Sequence, residues 1–250
     1  MKRKSMIFGV EFVEQQTGGE IVKKTVALLF CGVLLAGALY AQDQPVEKVT
    51  GGDDLVQEKG PWAGTWIHPD ADISKYSKLY MWESLFKFRE GGKTSAGTTM
   101  EMMRGNDSGP YAISDDSKEK FKKVVSEAVV KELGRSKEFT VTDKVGPGTL
   151  LVRGAVLDIV SNVPPNLSGG GIHLASVGQA TLVFELIDAE SGVVQARVAE
   201  RRNIQPQQRM NTVNSAPVNS ATVWNDVEQW ARDEARTLKK VLDKAKKKAN

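Results

Sequence analysis

Gln179-Ala180-Thr181-Leu182-Val183-Phe184-Glu185-Leu186-Ile187-Asp188 is the stretch whose reading decides the fold. Ala180, Leu182, Phe184 and Leu186 fall on one side of an extended chain. Gln179, Thr181 and Glu185 fall on the other, the alternation of a strand with one face on a core. Glu190-Ser191-Gly192 supplies turn chemistry, and residues 193–201 return as a partner strand, so a hairpin is expected. Working outward, residues 149–160 are rich in β-branched and apolar side chains. Residues 139–142 form a short strand ahead of the Gly146-Pro147-Gly148 break, and residues 79–88 read as the first strand.

Two helices accompany these strands. Phe121, Val124, Val125, Ala128, Val129 and Leu133 recur at helical spacing, with Asp116 and Glu119 as a capping pair and Gly134 as the stop. Ser220 is the expected N-cap of a last helix, whose apolar face is marked by Val223, Val227, Trp230, Ala231, Leu238, Val241, Leu242 and Ala245. Residues 91–110, 161–176 and 203–221 read as loops. The order is strand, helix, four strands, helix. The expected fold is α+β and two-layered: a mixed, mostly antiparallel sheet with both helices on one face and the other partly exposed.

The opening of the chain carries an address. Lys23 and Lys24 precede an uncharged apolar run, residues 25–41, that ends in small residues before Gln42. This is the build of a cleaved secretory signal. Glu11, Glu14 and Glu20 do not suit one, so residues 1–21 are read as an over-extended start, with Val22 beginning the signal. Residues 42–61 are a polar, flexible lead-in, and 62–250 a single domain with a basic C-terminal tail. The only cysteine, Cys31, lies in the apolar run, so the exported chain is expected to have no disulfide and no thiol ligand.

Removing residues 1–41 leaves roughly 210 residues, enough for one substantial core. The formal net charge is +3; residues 1–41 carry five Lys/Arg and three Asp/Glu, so the remainder stands at +1. Such a balance argues against a general nucleic-acid binder. The basic excess is local. Lys239, Lys240, Lys244, Lys246, Lys247 and Lys248 form a stretch expected to be solvated and frayed from Lys244 on, available for peripheral contact with an anionic membrane.

No constellation for catalysis stands out. His68-Pro69-Asp70-Ala71-Asp72 places three potential ligands close together, with His173 the only other histidine, yet the spacing suits a proline-led turn. Ser168-Gly169-Gly170-Gly171 lacks the Gly-Lys-Ser/Thr ending of a phosphate loop. Glu185 and Asp188 would be the carboxylates of a hydrolase but read as a solvated strand face. No metal and no cofactor is expected. Trp62, Trp66 and Trp82 cluster early in the chain and are the candidate surface for stacking on a glycan or small ligand.

Several segments together resemble a bacterial envelope family, domain of unknown function 3313. They are Ile67-His68-Pro69-Asp70-Ala71-Asp72-Ile73-Ser74-Lys75-Tyr76, the run from Gly146 to Ala155, the hairpin from Gly178 to Gly192, and Trp224-Asn225-Asp226-Val227 with Trp230-Ala231. The resemblance spans residues 62–242. It implies an envelope location, many members being lipoprotein-like, although Ala38 stands where a lipid-bearing cysteine would be. It implies no activity and transfers no catalytic residue. The expectation is an exported, non-enzymatic periplasmic or envelope-associated protein that binds an envelope protein or cell-wall polymer. A glycan- or small-ligand-binding module is the alternative, and a hydrolase built on His68, Asp70 and Asp72 the third reading.

Overall fold

The computed structural model describes residues 54–95, 109–165, 172–206 and 216–249. The stretch read as an export signal, residues 22–41, and the triple glycine at 169–171 lie outside them. The main sheet has eight strands: β1 (Val56–Gln57), β2 (Gly64–Ile67), β3 (Lys78–Met81), β4 (Leu85–Phe88), β5 (Thr140–Thr142), β6 (Thr149–Ser161), β8 (Gly178–Asp188) and β9 (Val194–Ile204). Its spatial order is β1-β2-β9-β8-β6-β3-β5, with β4 also on β6. The β1, β2, β9, β8 and β6 neighbours are antiparallel, whereas β3 and β4 run parallel to β6, and β5 parallel to β3. A separate antiparallel pair joins β7 (Ile172–Leu174) to β10 (Ala216–Val218). The α+β class and the mixed sheet are as the alternation predicts.

Two helices, α1 (Asp115–Leu133) and α2 (Ser220–Ala249), share one core with the sheet. Helix α1 is the crossover between β4 and the strands parallel to it, the geometry a parallel connection requires. Phe121, Val125, Ala128, Val129 and Leu133 of α1 and Val227, Trp230, Ala231, Leu238 and Leu242 of α2 are buried together with Leu150, Val152, Val156, Leu182, Phe184, Leu186 and Val198 of the sheet. The rings of Phe86 and Phe88 pack edge-on against Phe121 at 6.3 and 5.8 Å, and Phe121 lies 6.4 Å from Trp230. One aromatic line thus ties β4, α1 and α2.

Several expectations are corrected. Residues 79–88 are two strands, because β3 follows β6 only to Val152 and β4 resumes at Ala155. Between them Ser84 sits over Gly154, where an added Cβ would come within 3.0 Å of its hydroxyl. The lead-in contains β1, which pairs with β2. The N-cap of α1 is Ser114, whose hydroxyl accepts from the Ser117 N–H; Asp115 and Asp116 lie in the first turn. Asn219 caps α2 by accepting from the Ala221 and Thr222 N–H groups at 3.0 Å each. The lysine stretch from Lys244 is neither frayed nor wholly solvated, since α2 continues to Ala249. Lys246 donates to the Tyr76 carbonyl and lies over the Phe139 ring, and Lys247 pairs with Glu138 at 3.5 Å.

Candidate functional site

Alternation sends every second residue of the central strands away from the helices. Register then aligns these residues in rows. Trp66 on β2 faces Arg197 on β9, Arg197 faces Glu185 on β8, and Glu185 faces Arg153 on β6. Trp82 completes the row, as its N–H bonds the Val152 carbonyl at 3.0 Å. The result is a Trp-Arg-Glu-Arg-Trp line crossing the sheet at right angles to its strands.

Glu185 is the centre of that line and is only 1% exposed. Arg153 Nε donates to its Oε2 at 2.6 Å and Arg197 Nε to its Oε1 at 2.7 Å. Each guanidinium adds a second contact to the same oxygen through Nη2. A buried carboxylate requires such charge-assisted partners, and they hold both arginine side chains in place. Arg153 also lies over the Trp82 ring, 5.7 Å from its centroid. The next row is Gly64, Ala199, Val183 and Ala155, with small side chains and the last three buried. Trp66 folds down onto it: a Cβ on Gly64 would meet the indole at 2.3 Å, so any other residue there would displace the ring.

A second charged knot lies farther along the same face. Asp158 sits at a bulge in β6 with φ +50, a left-handed conformation that Asp tolerates better than most residues. Arg89 grips both its oxygens at 2.6 Å, and Arg201 bonds Asp158 Oδ2 as well as Gln179 Oε1 (3.1 Å). The Arg89 contact, joined by Arg201, holds the Asp158 carboxyl below its usual range despite partial burial.

The three early tryptophans do not form one cluster. Trp62 is 5% exposed in the core on the helix side, donating Nε1–H to Glu234 at 3.3 Å. Burial raises the Glu234 carboxyl, opposed by Arg202 at 3.2 Å and by Trp62. Trp66 is half-buried on the opposite face, and Trp82 is 44% exposed there. Glu185 and Asp188 are not a solvated pair. They point to opposite faces, and Asp188 organises the hairpin turn by accepting from the Glu190 and Ser191 N–H groups, Tyr76 Oη and Lys75 Nζ. Burial pushes this carboxyl up, but those four donors together hold it at about 2.

His68 accepts from the Asp70 N–H at 3.1 Å, and Asp72 accepts from the Ser74 N–H and hydroxyl, so both serve the turn into the 3-10 helix Ile73–Lys75. His173 lies on β7 in the separate two-stranded sheet. Among the described residues no three His, Cys, Asp or Glu side chains converge as metal ligands, and no helix is long and apolar enough to cross a membrane. The arginines and Asp158 were not singled out by sequence reading. Arg197 and Arg201 share one face of β9 at a spacing of four, but their carboxylate partners on β6 and β8 are identified only once register is known.

Distant likenesses exist among solved structures. A putative neuraminyllactose-binding hemagglutinin homolog from Helicobacter pylori is 10% identical, with 70% of this chain and 88% of that one covered at a TM-score of 0.37. A Xanthomonas campestris protein matched by the DUF330 family model is 9% identical over 78% and 95%, also at 0.37. The PelC L103M dodecamer from Paraburkholderia phytofirmans is 12% identical over 76% and 98%, at 0.33. No curated protein sequence matches the chain. A family model does match it, over residues 53–236, and the chain belongs to that family, the proteins of unknown function DUF3313.

Proposed function

We propose that this protein is exported by a cleaved signal and acts, without catalysis, as an envelope-associated binding protein whose sheet face turned away from α1 and α2 holds another macromolecule. The observation that carries this reading is the Trp66-Arg197-Glu185-Arg153-Trp82 row. Arginine and tryptophan are the residues most often found at the energetic centre of interfaces. Here two arginines are fixed by a shared buried carboxylate and flanked by two indoles. Of the carboxylates considered for hydrolysis, Asp72, Glu185 and Asp188 each have a structural task, which supports binding over chemistry. The row replaces the Trp62/Trp66/Trp82 cluster as the surface, with Trp62 assigned to the core.

Site-directed photo-crosslinking in living cells tests this. A photo-reactive phenylalanine analogue at Trp82 is expected to give an adduct of high mass in the envelope fraction. The same analogue at exposed Lys137, beyond the end of α1, is expected to give none. Equal labelling from both positions, or none from Trp82, overturns the reading. Intact mass of the recovered, unlabelled chain tests the export part: it should begin at Gln42 and carry no acyl group.

A further inference from the structure

We infer that the occupant of the face turned away from α1 and α2 is an acidic polysaccharide chain lying across the strands from Trp66 to Trp82. This rests on the binding role proposed above and adds the chemistry of the ligand.

Charge comes first. The described residues that alternation turns to this face include Lys78, Lys87, Arg89, Arg153, Arg197 and Arg201 as cations and only Glu185 and Asp158 as anions. The whole chain is nearly balanced, so the excess is a property of the face. A polyanion is its complement. Length comes second. Trp66 and Trp82 are separated by four inter-strand steps of about 4.8 Å each, so the row is about 19 Å long. A small metabolite does not bridge that distance, whereas a polymer crosses it with several units. Surface chemistry comes third. Indoles at both ends offer apolar ring faces suited to the C–H face of a sugar, and the fixed guanidinium groups between them suit carboxylates. The neighbouring row of Gly64, Ala199, Val183 and Ala155 keeps the surface low beside the charged line.

Polygalacturonate, a homopolymer of a carboxylated sugar, is the probe, with dextran as its neutral counterpart. Protein recovered from the envelope of expressing cells is run in affinity electrophoresis with each polymer at low salt. Retardation by polygalacturonate and not by dextran is expected, fading as salt screens the charges. Trp82→Ala should weaken it about tenfold, and the Lys78→Gln/Lys87→Gln double variant about threefold, both lysines being exposed and remote from the core. Lys131→Gln, at the end of α1, should change nothing. Retardation unaffected by Trp82→Ala, or weakened as much by Lys131→Gln, overturns the inference. So does binding to phosphatidylglycerol vesicles in place of the polymer. If polygalacturonate is not bound while position 82 crosslinks to an envelope protein, the glycan assignment fails and the binding role stands. If position 82 crosslinks to nothing, both fail.

Discussion

The two faces of the same sheet are built on different rules. On the helix side Ala180, Leu182, Phe184 and Leu186 of β8 meet α1 and α2, and the layer is apolar. On the far side the same strand carries Gln179, Thr181 and Glu185, and Glu185 is more buried than Leu182, Phe184 or Leu186. The first face secures its order through area removed from water. The second secures it through hydrogen bonds that compensate the cost of burying charge, a more demanding and more directional device. The helix side also holds buried carboxylates, Glu132, Asp188 and Glu234, but only on the far face do charges stand in register in one row across the strands.

The sharpest test of the apolar face is Trp230→Ala. Its ring is buried between α2, Phe121 and the sheet, so the loss should reach about 3–5 kcal/mol, read from urea unfolding. A loss below about 1 kcal/mol would break the assignment of α2 to the core. On the other face Glu185→Ala should cost about 3 kcal/mol, since it strips a buried counter-ion from Arg153 and Arg197. Replacing all three by Met in one variant should recover most of that loss, because a buried ion cluster is worth little against an apolar one of similar volume. Failure to recover would mean that the charged row shapes the sheet itself.

Much of the helix face was legible in the sequence, because both periodicities, two for strands and 3.6 for helices, point into it. The charged face was not, and two bulges explain why. Between β8 and β9 the register shifts at Gln195, an extra residue that lets Glu185 face Arg197; an unbroken hairpin from the same turn would set Glu185 opposite Ala196. In β6 the register shifts between Leu157 and Val160, where Asp158 takes its positive φ and meets Arg89 and Arg201. Arg153 and Glu185 are separated in the chain by a loop whose length says nothing of their pairing. Trp62 failed as a surface residue for another reason. Its neighbourhood in sequence is polar, while its indole N–H has a buried acceptor, Glu234, on α2.

Acid should act on the helix side of the hairpin turn before it melts the core. The Asp188 carboxyl lies at about 2 in the folded protein, below its ordinary 3.8. Its contribution, about 2 kcal/mol, is therefore complete above about pH 4 and is lost as pH falls toward 2. Asp188→Asn should lower stability at pH 7 and flatten its decline between pH 4 and 2. An unchanged decline would assign acid lability elsewhere, with Glu132 the next candidate. Although burial raises that carboxyl, Lys239, Arg135 and Arg236 hold it lowered where α1 meets α2. Removing Lys246 to Asn250 should cost about 1 kcal/mol, because Lys246 caps the Tyr76 carbonyl while the Lys247 pair is largely exposed. No change in melting would show that the docked end of α2 adds nothing to the apolar face.

The smallest effect on stability is the most informative about the comparison. Trp82 is the one member of the charged row that is largely exposed, and its described ring contact is the Arg153 guanidinium at 5.7 Å. Truncating it leaves no cavity, because one side of the ring already faces solvent. The Glu185 ion cluster retains all its charged members. Trp82→Ala should therefore cost about 0.5 kcal/mol, the size of an exposed cation–π contact. Trp66→Ala should cost more, since that indole covers Gly64 and packs on Ala155, Val183 and Ala199. The two ends of the row then differ in their share of structure: the Trp66 indole also holds the sheet face together, whereas the Trp82 indole stands clear of it. If Trp82→Ala destabilised the protein as much as Trp66→Ala, the row would be a structural seam with no surplus for a partner, and the two faces would differ in composition but not in purpose.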